Sequence, residues 1–224
     1  HATRTLTENT LESALQELED ADDSRVDPAE NVLSAFLGAL RETYDDALGF
    51  GEHEQVDEEW YDLPIANQDR RDDLTMAFLA RYEGRGIDAE IDLALQLGTA
   101  LDREYEDAYR NGSATTRAEC QTLQAAEFVA SWMADGAKLG QHPMCAVRRD
   151  AATGDVYGRA ELYTCIPREV TEGLFDEVDA SILMSATLRP FDVVEDVLGV
   201  SDPVTMAYGL EYPEERRRTL AVEA

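Results

Sequence analysis

The strongest structural signal in this chain is one apolar stripe that recurs at helical spacing. The stripe consists of Ile87, Ile91, Ala94, Gly98, Leu101, Tyr105 and Ala108, and it ends before Asn111-Gly112. Apolar residues three and four positions apart lie on one face of an α-helix, so the stripe predicts a long amphipathic helix. Such a helix cannot bury its stripe alone, and the chain must supply partners for it.

Further segments before residue 140 show the same spacing. Their apolar positions are Leu11, Leu15 and Leu18; Val32, Phe36, Leu40, Tyr44 and Leu48; Leu74, Phe78 and Tyr82; and Leu123, Ala126, Val129 and Met133. They predict helices that start at Asn9 and at Asp27-Pro28, and two more over about 67–83 and 115–138. Long helices joined by short loops favour an antiparallel bundle.

From Pro143 the pattern changes to short β-type segments. Strands are predicted at 144–148 and 159–166, followed by a helix over about 168–177, a buried strand at Ile182–Met184 and a helix from Pro190 to Leu198. Alternating strands and helices are typical of a parallel sheet. We therefore predict a mainly α fold with an α/β part, and a boundary near 140 between domains 1–140 and 141–224.

The chain is strongly acidic, with 48 Asp and Glu residues against 19 Lys and Arg residues and a formal net charge of −29. This charge disfavours polyanion binding through bulk electrostatics. All the basic residues except Lys138 are arginine, and the acids are spread along the chain, a pattern typical of salt-accumulating halophiles. Any DNA contact is therefore expected to come from local arginine and aromatic side chains.

The cysteines, Cys120, Cys145 and Cys165, are too far apart in the sequence for a metal knuckle. Their odd number, together with the lack of a signal peptide or an apolar run of spanning length, indicates reduced thiols in a cytoplasmic protein without a membrane segment. We predict that this segment binds no metal.

Two hydroxyl residues, Ser185 and Thr187, follow the predicted strand at Ile182–Met184. Ligands of open α/β sheets bind at the carboxyl ends of strands, so these hydroxyls are candidates for a functional site. The alternative is that Ser185-Ala186-Thr187 only turns a strand into a helix, with a hydroxyl as the cap.

The longer string favours the functional interpretation. Ser185-Ala186-Thr187-Leu188, then Pro190-Phe191, and then Leu198-Gly199 after an acidic helix resemble motif III of the XPD-type DNA helicases, superfamily-two enzymes with an iron-sulfur cluster. Downstream, the segment 212–216 (Tyr-Pro-Glu-Glu-Arg) is similar to the aromatic-Pro-x-Glu-Asn-Arg signature of that family, with Glu215 where the family has Asn.

This resemblance implies that the chain is an internal fragment, from after the DEAH box through motif III. Residues 1–140 would form a helical Arch-like insertion that begins with the helix after the DEAH box. Residues 141–224 would form the C-terminal part of a P-loop (RecA-like) parallel-sheet motor domain and the start of the connection to the second motor domain. By resemblance, Ser185, Ala186 and Thr187 couple the nucleotide state to the DNA-binding face.

The function implied by the resemblance is that of an ATP-dependent 5′-to-3′ DNA helicase, acting on single-stranded and duplex DNA, in DNA repair, and as a monomer. ATP, Mg²⁺ and a 4Fe-4S cluster would serve the full-length protein, and none would be bound by this segment. The chain contains neither the Gly-x-x-x-x-Gly-Lys-Ser/Thr phosphate loop nor a DEAH box, so it cannot hydrolyse ATP alone by the P-loop mechanism. The alternative is a non-enzymatic helical protein-interaction module.

DNA-contact candidates are Trp60 and Tyr61, which lie outside a clear apolar stripe, and Arg216 and Arg217 in the densest basic cluster. Core packing is the alternative for the aromatic pair, and a solvated surface that pairs with nearby glutamates is the alternative for the arginines. Arg148-Arg149, beside the predicted hairpin, are interpreted as a solvated turn, with DNA contact as the alternative.

Overall fold

The computed structural model describes residues 3–49, 53–66, 71–134, 141–185 and 188–207. Residue contacts divide the chain into two compact units, His1–Val170 and Thr171–Ala224. The first unit contains helices and a sheet, whereas the described residues of the second unit are helical or irregular. The fold therefore contains both α-helices and β-strands, which confirms this coarse part of the predicted fold class.

The helices of the first unit lie where the apolar spacing placed them, with shifted ends. They are α1 (Glu8–Glu19), α2 (Val26–Ala47), α3 (Asp73–Arg81), α4 (Ile87–Arg110) and α5 (Gln121–Met133). Helix α3 begins later than predicted because the Asp72 carboxylate accepts the Thr75 N–H at 2.8 Å and caps the helix there. Helix α4 packs against α5 and α2, as its stripe requires.

A four-stranded antiparallel sheet accompanies these helices. Its strands are β1 (Arg4–Thr7), β2 (Tyr61–Pro64), β3 (Gln141–Arg149) and β4 (Val156–Thr164), in the spatial order β1-β4-β3-β2. The parallel sheet predicted after residue 140 is wrong for the described residues. Residues 150–155 form a short turn in which Asp150 accepts the Ala152 and Thr153 N–H groups, and a parallel crossover needs a far longer connection.

The sheet joins segments from both sides of residue 140. Strand β4 pairs with β1, and strand β3 pairs with β2. The contacts consequently divide the chain within helix α6 (Pro167–Asp176), between residues 170 and 171, whereas the functional boundary near 140 stays a prediction. The predicted boundary rested on the change in local pattern, which does not reveal pairing between distant strands.

The core of the first unit is centred on Phe36, which is fully buried in α2. Its ring makes edge-to-face contacts with Phe78, Phe128 and Trp132, at centroid distances of 5.3, 6.2 and 6.0 Å. The Trp132 indole N–H donates to the Thr75 hydroxyl at 3.0 Å, so that the one polar atom of this ring is paired. Helices α2, α3 and α5 are thereby locked around one aromatic cluster.

Two glutamates of α1 connect the helices to each other and to the sheet. The buried Glu8 carboxylate accepts from Arg41 Nε at 2.7 Å and from the Gly158 N–H at 2.5 Å, which links α1, α2 and β4. The Glu17 carboxylate accepts the Gln121 and Thr122 N–H groups at 3.0 and 2.8 Å and so caps α5 from another helix. Both carboxylates satisfy backbone donors that would otherwise lack a partner.

In the second unit, the described residues after α6 form an irregular segment and helix α7 (Phe191–Leu198). The buried strand predicted at Ile182–Met184 is not formed, and Ile182 and Met184 are 85% and 87% exposed. A strand needs a hydrogen-bonded neighbour, and the described part of this unit contains no other strand. Helix α7 begins directly after Pro190, close to its predicted start, and ends at Gly199 with φ of 69°.

Membrane-spanning helices were sought in the described ranges. None of the helices found there combines the length and the apolar character needed to cross a bilayer.

Candidate nucleic-acid interface

The sheet of the first unit has one face in the helical core and one face with a different composition. Leu6, Ala160, Cys145 and Leu63 lie side by side in the strand register, and all of them belong to the buried core. Because side chains alternate along a strand, the neighbouring positions point to the opposite face. That opposite face carries Tyr157, Arg159 and Glu161 from β4, Arg148 from β3 and Asp62 from β2.

On this face, two arginines and two aromatic rings form one cluster, which we call the Arg-aromatic cluster: Trp60, Arg148, Tyr157 and Arg159. The guanidinium carbons of Arg159 and Arg148 lie 4.0 and 4.8 Å from the Trp60 ring centre. The rings of Trp60 and Tyr157 meet edge to face at 5.5 Å. All four residues are partly exposed, so that the cluster is accessible from solvent.

The two arginines of the cluster differ in their electrostatic partners. Arg159 forms an ion pair with Glu161, whose side chain is almost fully buried. Burial raises the pKa of Glu161, the charge of Arg159 opposes that rise, and the nearby Asp62 adds to it. The positive charge of Arg159 is therefore largely compensated within the sheet.

Arg148 has no carboxylate within ion-pair distance among the described residues. Its Nε donates to the Tyr157 hydroxyl, and its guanidinium lies 5.1 Å from the Tyr157 ring centre as well as over Trp60. Its charge reaches Asp150, whose pKa is lowered mainly by backbone hydrogen bonds from Thr153 and Ala152 and further by Arg148. Aromatic rings, and not a carboxylate of the described residues, therefore hold the guanidinium of Arg148.

The adjacent Arg149 has a structural role. Its guanidinium donates to three backbone carbonyls, those of His53 at 2.5 Å, Val56 at 3.0 Å and Gly154 at 2.6 Å. Its own N–H donates to the Asp57 carbonyl at 2.6 Å. Arg149 therefore ties the segment that leads to Trp60 to the β3–β4 turn, and neither arginine of this pair is part of a simple solvated turn.

The sequence-based candidates are separated by the fold. Trp60 belongs to the Arg-aromatic cluster, whereas Tyr61, 59% exposed, is the first residue of β2 and lies on the opposite side of the sheet from Asp62. Ser185 lies in the second unit, in an exposed irregular segment. Ala186 and Thr187, and likewise Arg216 and Arg217, lie outside the described residues.

Tyr157 and Arg159 were missed by the sequence analysis. Both lie in β4, and only the antiparallel register of β4 with β3 brings them to Arg148 and Trp60. The alternation Tyr157, Arg159, Glu161 on one side and Gly158, Ala160, Leu162 on the other was a usable signal for a two-faced strand. It did not reveal which neighbours these side chains would meet.

The cysteines do not form a metal site in the described part of the chain. Cys120 and Cys145 are buried and Cys165 is exposed, and no group of three His, Cys, Asp or Glu side chains there converges on a common point. Burial raises the pKa of Cys120 to about 11, so that its side chain is a neutral thiol near pH 7. The described residues therefore offer no ligand set for an iron-sulfur cluster.

Chemically, the Arg-aromatic cluster combines a guanidinium donor with flat aromatic surfaces, which are the two elements of sequence-tolerant nucleic-acid binding. Its local charge is nearly balanced, because Glu161 and Asp62 lie on the same face as the arginines. Comparison of the whole chain with protein-family models, with curated proteins and with solved structures finds no match.

Proposed function

We propose that this chain is part of an XPD-type ATP-dependent DNA helicase, a cytoplasmic, monomeric 5′-to-3′ translocase that acts in DNA repair. The observation that carries the proposal is the run from Ser185 to Phe191, followed by Leu198-Gly199. The start of α7 directly after Pro190 supports this alignment. In this proposal residues 1–140 correspond to the Arch-like insertion and 141–224 to the end of the first RecA-like motor domain.

The residues of this chain take one role in the proposed mechanism. Ser185 and Thr187 would hydrogen-bond to the acidic box of the motor and transmit the state of the nucleotide to the DNA-binding face, as a two-state element. The described residues fit neither a nucleotide phosphate loop nor an iron-sulfur cluster, so ATP, Mg²⁺ and the cluster would be held elsewhere in the full-length protein.

The test uses Thr187→Ala in the complete protein that contains this chain. We expect ATP binding to persist, while the number of base pairs unwound per ATP hydrolysed falls about fivefold or more, because the hydroxyl carries the coupling. Thr187→Ser is the matched control, since it keeps the hydroxyl and should keep the coupling. Unchanged unwinding per ATP in Thr187→Ala would contradict the proposal.

A protein-interaction module without motor activity is the second candidate. The observation that favours it is the composition of the Arg-aromatic cluster, because tryptophan, tyrosine and arginine are the residues most enriched at binding hot spots. The coding sequence upstream of His1 separates the two candidates. A phosphate loop, four cysteines and a DEAH box in it would support the helicase, and a start codon close to His1 would support the module.

A further inference from the structure

We propose that the Arg-aromatic cluster is a binding site for single-stranded nucleic acid, in which Arg148 contacts one phosphate and a base stacks on the layer formed by Trp60, Tyr157 and the arginines. The choice of nucleic acid as the ligand rests on the proposed function. The residues involved belong to the first unit and are independent of the Ser185–Thr187 motif.

The first argument is the availability of Arg148. Within the described residues its guanidinium has the Tyr157 hydroxyl as a hydrogen-bond acceptor and two rings as neighbours, but no carboxylate at ion-pair distance. Its remaining N–H groups are free to meet an anion, and a guanidinium fits a phosphate with two parallel hydrogen bonds.

The second argument is preorganisation. Ring contacts hold the Arg148 guanidinium in place, and Arg149 fixes the adjacent backbone through three carbonyl groups. An arginine that is already ordered loses little conformational entropy when it binds a ligand. The cluster is therefore shaped before any ligand arrives.

The third argument concerns charge. Arg159 is compensated by Glu161, and Asp62 is near enough to Glu161 to contribute to its raised pKa. A second phosphate close to these carboxylates would be repelled, so the site accommodates about one phosphate contact. The rest of the affinity must come from stacking, which tolerates the high salt that the composition of the chain indicates.

This charge balance makes a quantitative prediction about salt. For single strands, each neutralised phosphate contributes about −0.7 to the slope of log K against log salt. One contact therefore predicts a slope near −0.7, whereas a basic groove with many contacts would give a slope several times steeper.

The experiment measures binding of the 224-residue chain to a fluorescein-labelled oligothymidylate of about 15 nucleotides by anisotropy, without ATP. The range is about 0.2 to 2 M KCl, wherever circular dichroism reports a folded chain. We expect Arg148→Ala and Trp60→Ala each to weaken binding about tenfold. Arg103→Ala, which removes an exposed arginine on α4, is the matched control for charge and should bind within about twofold of the wild type.

Two conservative variants keep the test decisive if Trp60→Ala unfolds. Trp60→Phe retains a ring and should bind with intermediate affinity. We expect binding to quench the tryptophan fluorescence of the wild type but not that of Trp60→Phe, because the other tryptophan, Trp132, is buried. Arg148→Lys keeps the charge but loses the planar donor and should bind about as weakly as Arg148→Ala.

Any of four results would overturn the proposal. They are no binding by the folded wild type, full binding by Arg148→Lys, an equal loss in Arg103→Ala, and equal competition by a polyglutamate peptide, which would assign the site to an acidic protein partner. Since no ATP is used, these results are independent of the Thr187→Ala test of the helicase.

Discussion

The two compact units bury their apolar side chains to very different extents. In the first unit, the apolar stripes of α1, α2 and α5 are buried in a core that contains Phe36. In the second unit, the described apolar side chains are all at least partly exposed, and Ile182, Met184 and Val204 are exposed by 85, 87 and 97%. The first unit therefore accounts for its own stability, whereas the described part of the second unit does not form a core.

This difference has a physical meaning. Burial of apolar area is the main favourable contribution to folding, and exposed apolar patches mark surfaces that bind something else. An open groove of about 710 Å³ in the second unit is lined by Leu183, Phe191, Val194 and neighbouring residues. Leu188 and Phe191, two residues of the string that resembles motif III, thus line a partly exposed apolar groove.

The largest expected effect compares two phenylalanines. Phe36→Ala should lower the free energy of unfolding of the first unit by about 3–5 kcal/mol, because it leaves a cavity between Phe78, Phe128 and Trp132. Phe191→Ala, at a partly exposed position of α7, should lower the free energy of unfolding by less than about 1 kcal/mol. Urea denaturation followed by far-UV circular dichroism, which reports on the helices of both units, measures both losses, and equal losses would contradict the contrast between the units.

A pair of glycines gives the next largest effect. A Cβ on Gly98 would lie 2.6 Å from Leu123 Cα, where α4 and α5 approach closely, so Gly98→Ala should destabilise the first unit by about 1–3 kcal/mol. Gly173→Ala in α6 would meet nothing within 4 Å and should stabilise that helix by up to about 1 kcal/mol. Thermal denaturation followed by circular dichroism measures both changes. An unchanged melting temperature in Gly98→Ala would contradict the close packing of α4 on α5.

The smallest expected effect on stability comes from a buried carboxyl group. Among the described residues, buried charged side chains occur only in the first unit. Burial raises the pKa of Glu161, so the folded state binds its proton more tightly than the unfolded state does. Stability from this group therefore increases as the pH falls from neutral through the raised pKa, and becomes constant below the ordinary pKa of a glutamate.

Glu161→Gln should remove that pH dependence while keeping an acceptor for Arg159. The measurement is the difference in unfolding free energy between the variant and the wild type from pH 7 to pH 4, in which other carboxylates cancel. A difference that does not change with pH would show that Glu161 titrates alike in both states.

The sequence predicted the positions of the helices and strands better than it predicted which of them pack or pair with each other. The stripe from Ile87 to Ala108 determined α4 because its information is local, and the bounds agree within a few residues. Strand β2 was missed because Tyr-Asp-Leu-Pro is short and ends in proline, and it exists through its pairing with β3. The strand predicted at Ile182–Met184 had suitable composition, but composition does not supply a neighbouring strand.

The candidate site shows the same limit. Trp60 stood out in the sequence because it lay outside any apolar stripe, which is local information. Its neighbours Arg148 and Arg159 come from two later strands, and only the register of β3 and β4 brings them to its ring. The alternation of β4 indicated two faces, but the partner across a sheet is a property of the whole chain.

The carbonyl groups that receive the Arg149 guanidinium are neutral dipoles, in a protein that otherwise has carboxylates in large excess. Acidifying the medium cannot protonate such acceptors, and added electrolyte weakens short-range dipolar bonds far less than it weakens a separated ion pair. The hydrogen bonds that position the segment before Trp60 are therefore expected to persist when the pH falls or the salt concentration rises.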